Sequence, residues 1–136
     1  MLVLSVVTPS KKLLTDHEIE EVFVPAYKGE LNILEGHAPL MSTLETGILK
    51  YRLKSESQLH EVAISWGYLE VSHDHVSVLA ETAESSVEIN VSRAEEAKNK
   101  AEKSLLNADL EQHEFVKQQL KLGRAIIRIA VAGVKK

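Results

Sequence analysis

Two groups of side chains have the type and spacing for chemistry. His73-Asp74-His75 places two imidazoles around a carboxylate. If a strand ran through them, His73 and His75 would share a face, and His37 or Asp74 could complete a metal site. Between two alternating apolar runs, however, His73-Asp74 also reads as the tight connection of a hairpin. Arg124 and Arg128 lie one helical turn apart and project from one face, a basic edge that suits a helix C-terminus. The chain has no cysteine, which excludes disulfides, thiolate zinc sites and cysteine nucleophiles and fits a reducing compartment. It has no serine-nucleophile motif, and its glycines fall at separate turns rather than in a phosphate-binding loop.

The elements that must position these groups change character once along the chain. Up to about Ala83, apolar residues alternate in short runs broken by turn signals. The runs Leu2–Val7, Glu20–Val24 (closed by Pro25), Gly29–Leu34, Leu40–Leu44, Ile48–Leu53, Leu59–Ser65, Tyr68–Ser72 and Val76–Leu79 predict an antiparallel sandwich or barrel. From Val91 onward there is no proline and the spacing turns helical, with Ala94, Ala97, Ala101, Leu105 and Ala108 on one stripe. Asn90 is suited to cap the first helix, Asn107-Ala108-Asp109 to make the turn, and a second helix to run to about Ala132. The expected organisation is a β-sandwich over residues 1–85 and a two-helix hairpin over residues 86–136. An alanine seam buries little area, so such a hairpin docks weakly. The end of the second helix, Ile126, Ile127, Ile129, Ala130, Val131, Ala132 and Val134, is apolar nearly all round. That implies a tip wedged between the first helix and the sheet, or one inserted into a partner's cleft, with alternation between the two.

The net charge of −4 and the scattered Lys and Arg residues argue against nucleic acid as a partner. No apolar run reaches the roughly 20 residues of a membrane span. Met1–Val7 lacks a basic leader and reads as a strand.

Gly29-Glu30-Leu31-Asn32-Ile33-Leu34-Glu35-Gly36-His37-Ala38-Pro39-Leu40 resembles the Gly-Glu-Phe/Leu-Gly-Ile-x-Pro-Gly-His-Ala-Pro-Leu pattern of the epsilon subunit of rotary ATP synthases, the delta subunit in mitochondria. Ser65-Trp66-Gly67-Tyr68-Leu69-Glu70-Val71 is similar to that family's Ser-Gly-Gly-x-Leu-Glu-Val. Ala80-Glu81-Thr82-Ala83-Glu84 and Ile89-Asn90-Val91-Ser92-Arg93-Ala94 resemble its junction between sandwich and helices. The resemblance covers the whole chain in order. It implies a ten-stranded sandwich bound to the gamma stalk and the c-subunit ring, with no catalytic site of its own. It also implies a hairpin able to extend along the stalk and block ATP hydrolysis by the alpha and beta catalytic subunits. The expected location is the cytoplasmic face of a bacterial membrane, peripheral through the complex, with a monomer when isolated.

The resemblance assigns Glu30, Glu35 and His37 to the c-ring contact, with His37 beside Glu35 suggesting pH sensitivity. It assigns Arg124 and Arg128 to acidic groups on the catalytic subunits. In some members the docked hairpin binds ATP as a regulatory ligand, which here would involve Glu84, Asn90, Arg93, Lys100, Arg124 and Arg128. Four departures from the pattern bear on its function. Asn90 stands for an aspartate, Glu35 for a proline, Trp66 for a small residue that leaves a large ring in need of a pocket or a gamma contact, and Gly123 interrupts the second helix. Two other readings are a free-standing adaptor whose hairpin joins a coiled coil, and a histidine-metal β-sandwich enzyme.

Overall fold

The computed structural model describes residues 1–107 and 109–133. Ala108 of the helical stripe and Val134 of the apolar tip lie outside the described residues. Among the described residues nine strands are followed by two helices: β1 (Leu2–Val7), β2 (Lys12–Ala26), β3 (Gly29–Leu34), β4 (Leu40–Leu44), β5 (Gly47–Leu53), β6 (Leu59–Ile64), β7 (Gly67–Ser72), β8 (His75–Ala80), β9 (Ala83–Ser85), α1 (Val91–Leu105) and α2 (Gln112–Gly133).

The ten strands implied by the resemblance become nine because β2 is a single strand that serves both sheets. Its first half pairs β1, and its second half pairs β3 and β5. One sheet then runs β3-β2-β5-β6-β9 and the other β2-β1-β8-β7-β4. A bridge between Ala26 and Leu44 closes the seam between them. The sequence reading starts this strand at Glu20, because Lys12–Ile19 is mostly polar and exposed and lacks clean alternation. A bulge at Asp16 (φ 48°), whose amide donates to Ser5 Oγ at 2.9 Å, bends the strand from one sheet to the other. Pro25 does not end it, since the β5 ladder has already stopped at Phe23. The pairing is antiparallel throughout except for β1 and β8, which run parallel. Parallel neighbours need a long crossover, and here the six intervening strands supply it.

The sandwich core is built from strand residues no later than Ala83, with Leu4, Val22, Ile33, Leu49, Ile64 and Leu69 among the fully enclosed side chains. No helix residue belongs to it, so the sandwich has its own core. A second, separate cluster joins Ala63, Ile89, Val131 and Ala132, flanked by Ile48 and Ile127.

Two carboxylates tie the periphery together. Glu21 accepts from Arg52 Nε (3.1 Å) and Nη2 (2.7 Å) and from Asn32 Nδ2 (3.2 Å). Glu88 accepts from the Ser85 amide and hydroxyl, both at 2.9 Å, and pairs with Lys11. This fixes the 3-10 turn Ser86–Glu88 that links sandwich to hairpin. At Glu21 the Arg52 guanidinium, aided by Asn32 and opposed by burial, holds the pKa below its ordinary 4.5. At Glu88 burial works to raise the pKa, but Lys11 and Ser85 together outweigh it and the value is again lowered. A carboxylate depressed in the folded state stabilises it above the unfolded pKa, and that contribution disappears as pH falls through the folded value. Thermal midpoints are therefore expected to drop below about pH 4.5, and Glu21→Gln should show a shallower acid drop than the parent. Parallel acid curves for the two proteins would show that the Glu21–Arg52 pair contributes nothing.

Candidate functional site

The hairpin lies docked on the sandwich. Asn90 Oδ1 accepts from the Arg93 amide at 3.0 Å, satisfying an orphan donor of the first turn as its position predicts. Ala94, Ala101 and Ala125 are buried along the helix pair, whereas Ala97 is exposed and Leu105 half-buried. The stripe is therefore narrower than its spacing suggests. Alanine brings the helices close and leaves room beside them. That room is a cleft of about 400 Å³ lined by Glu84, Lys100, Lys121, Arg124 and Arg128 around a floor that includes Ala101 and Ala125.

Glu84 sits on edge strand β9 opposite Ala63. Arg128 reaches it from α2, with Nη2 donating to one carboxylate oxygen at 3.2 Å. Nε lies 2.8 Å from the other oxygen but off the hydrogen-bonding line, so that contact is ionic. Among the described residues Lys100, Lys121 and Arg124 have no carboxylate partner. The cleft thus presents four cations against one carboxylate in a chain of net negative charge. Of the six residues assigned to a nucleotide, four line this cleft; Asn90 and Arg93 do not. Asn90 is occupied as the cap, and Arg93 is exposed on the first turn of α1.

The α2 tip is wedged against the sandwich on one side only. Val131 and Ala132 are buried on Ala63 and Ile89, while Ile126 is 45% exposed. Their seat is the pair Ile48–Ala63, which faces outward from β5 and β6 where neighbouring outward positions carry Lys50, Arg52 and Glu61. The outward pair Ile48–Ala63, apolar beside the charged pair Lys50–Glu61, is a signal of this seat that the alternation contains and that sequence reasoning missed. Gly123 is not a close-packing position, because a Cβ there would meet nothing within 4 Å. It only weakens the helix.

The three residues assigned to the c-ring contact do not form one cluster. Glu30 stands at the start of β3 with Lys50 Nζ 3.7 Å away, and Glu35 and His37 lie beyond its other end. At about 3.3 Å per residue, Glu30 and Glu35 are roughly 16 Å apart along the strand. Glu35 pairs with the amino group of Met1 rather than with His37, whose Nδ1 is 2.7 Å from the Ala38 carbonyl.

Trp66 is not enclosed but borders a surface groove with Pro9, Tyr68 and Leu79. It is 54% exposed and packs edge-on against Tyr68, with ring centroids 6.4 Å apart. The register places Val7, Leu79, Tyr68 and Thr43 in one row across β1, β8, β7 and β4, so Trp66, Tyr68 and Leu79 form an exposed apolar patch. The shared strand face proposed for His73 and His75 does not exist. β7 ends at Ser72 and β8 begins at His75, and His73 and Asp74 (φ 50° and 60°) are the two central residues of the turn. No group of three metal-ligating side chains occurs among the described residues.

Residues 1–86 match the family "ATP synthase, Delta/Epsilon chain, beta-sandwich domain", and residues 88–133 match "ATP synthase, Delta/Epsilon chain, long alpha-helix domain". The ATP synthase epsilon chain of Bdellovibrio bacteriovorus is 41% identical over 129 residues, covering 95% of this chain and 92% of the relative. That of Geotalea daltonii is 42% identical over 127 residues, covering 93% and 90%. Among solved structures, a chain of the Euglena gracilis mitochondrial ATP synthase (OSCP, F1 and c-ring) superposes with a TM-score of 0.80 at 18% identity, covering 98% of this chain and 81% of that one. One from the Tetrahymena thermophila mitochondrial ATP synthase central stalk and c-ring gives 0.62 at 12% identity, covering 96% of each. At those identities the likeness is one of fold.

Proposed function

Because the chain belongs to the ATP synthase delta/epsilon chain family, we propose that it is the non-catalytic central-stalk subunit of a rotary ATP synthase. In this reading residues 1–85 couple the c ring to gamma, and residues 86–136 form an arm that restrains ATP hydrolysis. Trp66, Tyr68 and Leu79 supply an apolar face for gamma, and Glu30, Glu35 and His37 face the c ring. The subunit is held at the cytoplasmic side of a bacterial membrane by the complex; no helix among the described residues is long and apolar enough to cross one. The observation that carries the reading is the separation of the two apolar clusters. The hairpin leans on the sandwich through a small contact that shares nothing with the sandwich core. Release then costs the Val131–Ala63–Ile89 contact and the Glu84–Arg128 pair, and leaves the sandwich intact. Carboxylates on the catalytic subunits can replace Glu84 as the partner of Arg128, while Arg124 gains a partner.

The cationic cleft supports a second, compatible role. A nucleotide polyphosphate held by Lys100, Arg124 and Arg128 would bridge both helices and favour the docked hairpin. One assay tests both roles: ATP hydrolysis by a core depleted of this subunit, after adding back the full chain or a version ending at Glu88. Both versions should bind gamma and only the full chain should slow hydrolysis, with high ATP relieving the inhibition. Equal rates with both versions would eliminate the inhibitory arm, and loss of gamma binding by both would eliminate the stalk role.

A further inference from the structure

We propose that Asp74 is a positioning residue for the Glu35–His37 turn and so for the contact that turn makes with the c ring. This rests on the assignment of that turn to the c ring. Three segments distant in sequence meet here: the chain start, the turn after β3 and the β7–β8 turn. Asp74 Oδ1 accepts from the Gly36 amide at 2.7 Å, across 38 positions of sequence. The Asp74 backbone carbonyl accepts from the Val3 amide at 2.9 Å, and its Oδ2 lies 3.9 Å from the Met1 amino group. That amino group also pairs with Glu35.

A hydrogen bond to an ionised acceptor is shorter and stronger than a neutral one. The Gly36 amide is the hub of the turn, since Gly36 has φ +84° and separates Glu35 from His37. The only other backbone tie of the turn among the described residues is the His37 amide donating to Leu34 O at 3.1 Å. Asp74 also stands at φ 60° in a two-residue turn, where Asn and Gly are the well-tolerated alternatives. Both substitutions therefore keep the hairpin, and they differ in the acceptor. Asn retains an oxygen for the Gly36 amide, and Gly removes it.

The test uses the full chain. Amide exchange at Gly36 is followed by NMR in the parent, Asp74→Gly and Asp74→Asn. ATP-driven proton pumping is measured in depleted membrane vesicles reconstituted with each protein, with a Glu35→Ala/His37→Ala double variant as reference. Asp74→Gly should speed Gly36 exchange about tenfold or more and lower pumping toward that of the double variant. Asp74→Asn, which keeps the acceptor oxygen but not its charge, should fall between the parent and Asp74→Gly in both, and gamma binding should be unchanged in all. Unchanged Gly36 exchange in Asp74→Gly overturns the proposal. So does faster exchange with normal pumping when the double variant pumps poorly; in that case the turn assignment survives. Normal pumping by the double variant as well removes the turn assignment itself, and the proposal with it.

Discussion

Gly67→Ala is expected to destabilise the sandwich by about 3 kcal/mol or more, the upper end of what overpacking costs. Gly67 opens β7 and is paired with Ala80 of β8. A Cβ at this position would lie 2.0 Å from the Leu79 carbonyl oxygen and 2.8 Å from the Ala80 Cα. These are backbone atoms and cannot rotate aside, so the two strands must separate. The neighbouring Leu69, Val71, Val76 and Val78 are all core residues at 1% exposure, and strand separation loosens their packing as well. For a chain of this size the loss corresponds to a fall of roughly 10 °C in thermal midpoint. The patch of Trp66, Tyr68 and Leu79 is built on the same two strands, so if it is the gamma face proposed above, gamma binding should weaken alongside stability. A midpoint within about 2 °C of the parent would mean that the strands yield at negligible cost.

Val131→Asp is expected to release the hairpin without unfolding the sandwich. Val131 is fully buried in the contact with Ala63 and Ile89, and that contact is small. The substitution forfeits about 2 kcal/mol of apolar burial and would leave an unpaired carboxylate out of water. Undocking avoids the second cost, so the docking equilibrium should move by at least about a hundredfold, or roughly 3 kcal/mol. Limited proteolysis reads this directly: cleavage within 91–133 should accelerate sharply while 1–85 stays resistant. Leu120→Asp is the control, since Leu120 is 63% exposed on α2 and its change should leave the cleavage pattern intact. Equal resistance of the Val131→Asp hairpin would show that the tip contact does not hold the arm. Simultaneous loss of the sandwich would show that the two apolar clusters are energetically one.

Much of the architecture is local physics and was open to reading in the sequence. The change from period two to helical spacing separates sandwich from hairpin, because the two periods present different faces for burial. His73-Asp74 makes its turn because both residues must adopt positive φ, and Asn90 caps α1 because its amide oxygen reaches the Arg93 amide three residues on. The motif around Gly29–Leu40 and the junction at Ala80–Ala94 identify the family in the same local way. Packing between remote segments decided the rest. Whether β2 runs fifteen residues through both sheets depends on strands that the polar stretch Lys12–Ile19 does not encode. The pairing of Glu84 with Arg128 spans 44 positions and that of Gly36 with Asp74 spans 38, and no periodicity links either pair. Tertiary packing likewise left Trp66 in solvent, moved Asn90 and Arg93 off the cleft and seated Val131 on Ala63. Local periods state which face of an element seeks burial; only the assembled chain determines which partner covers it.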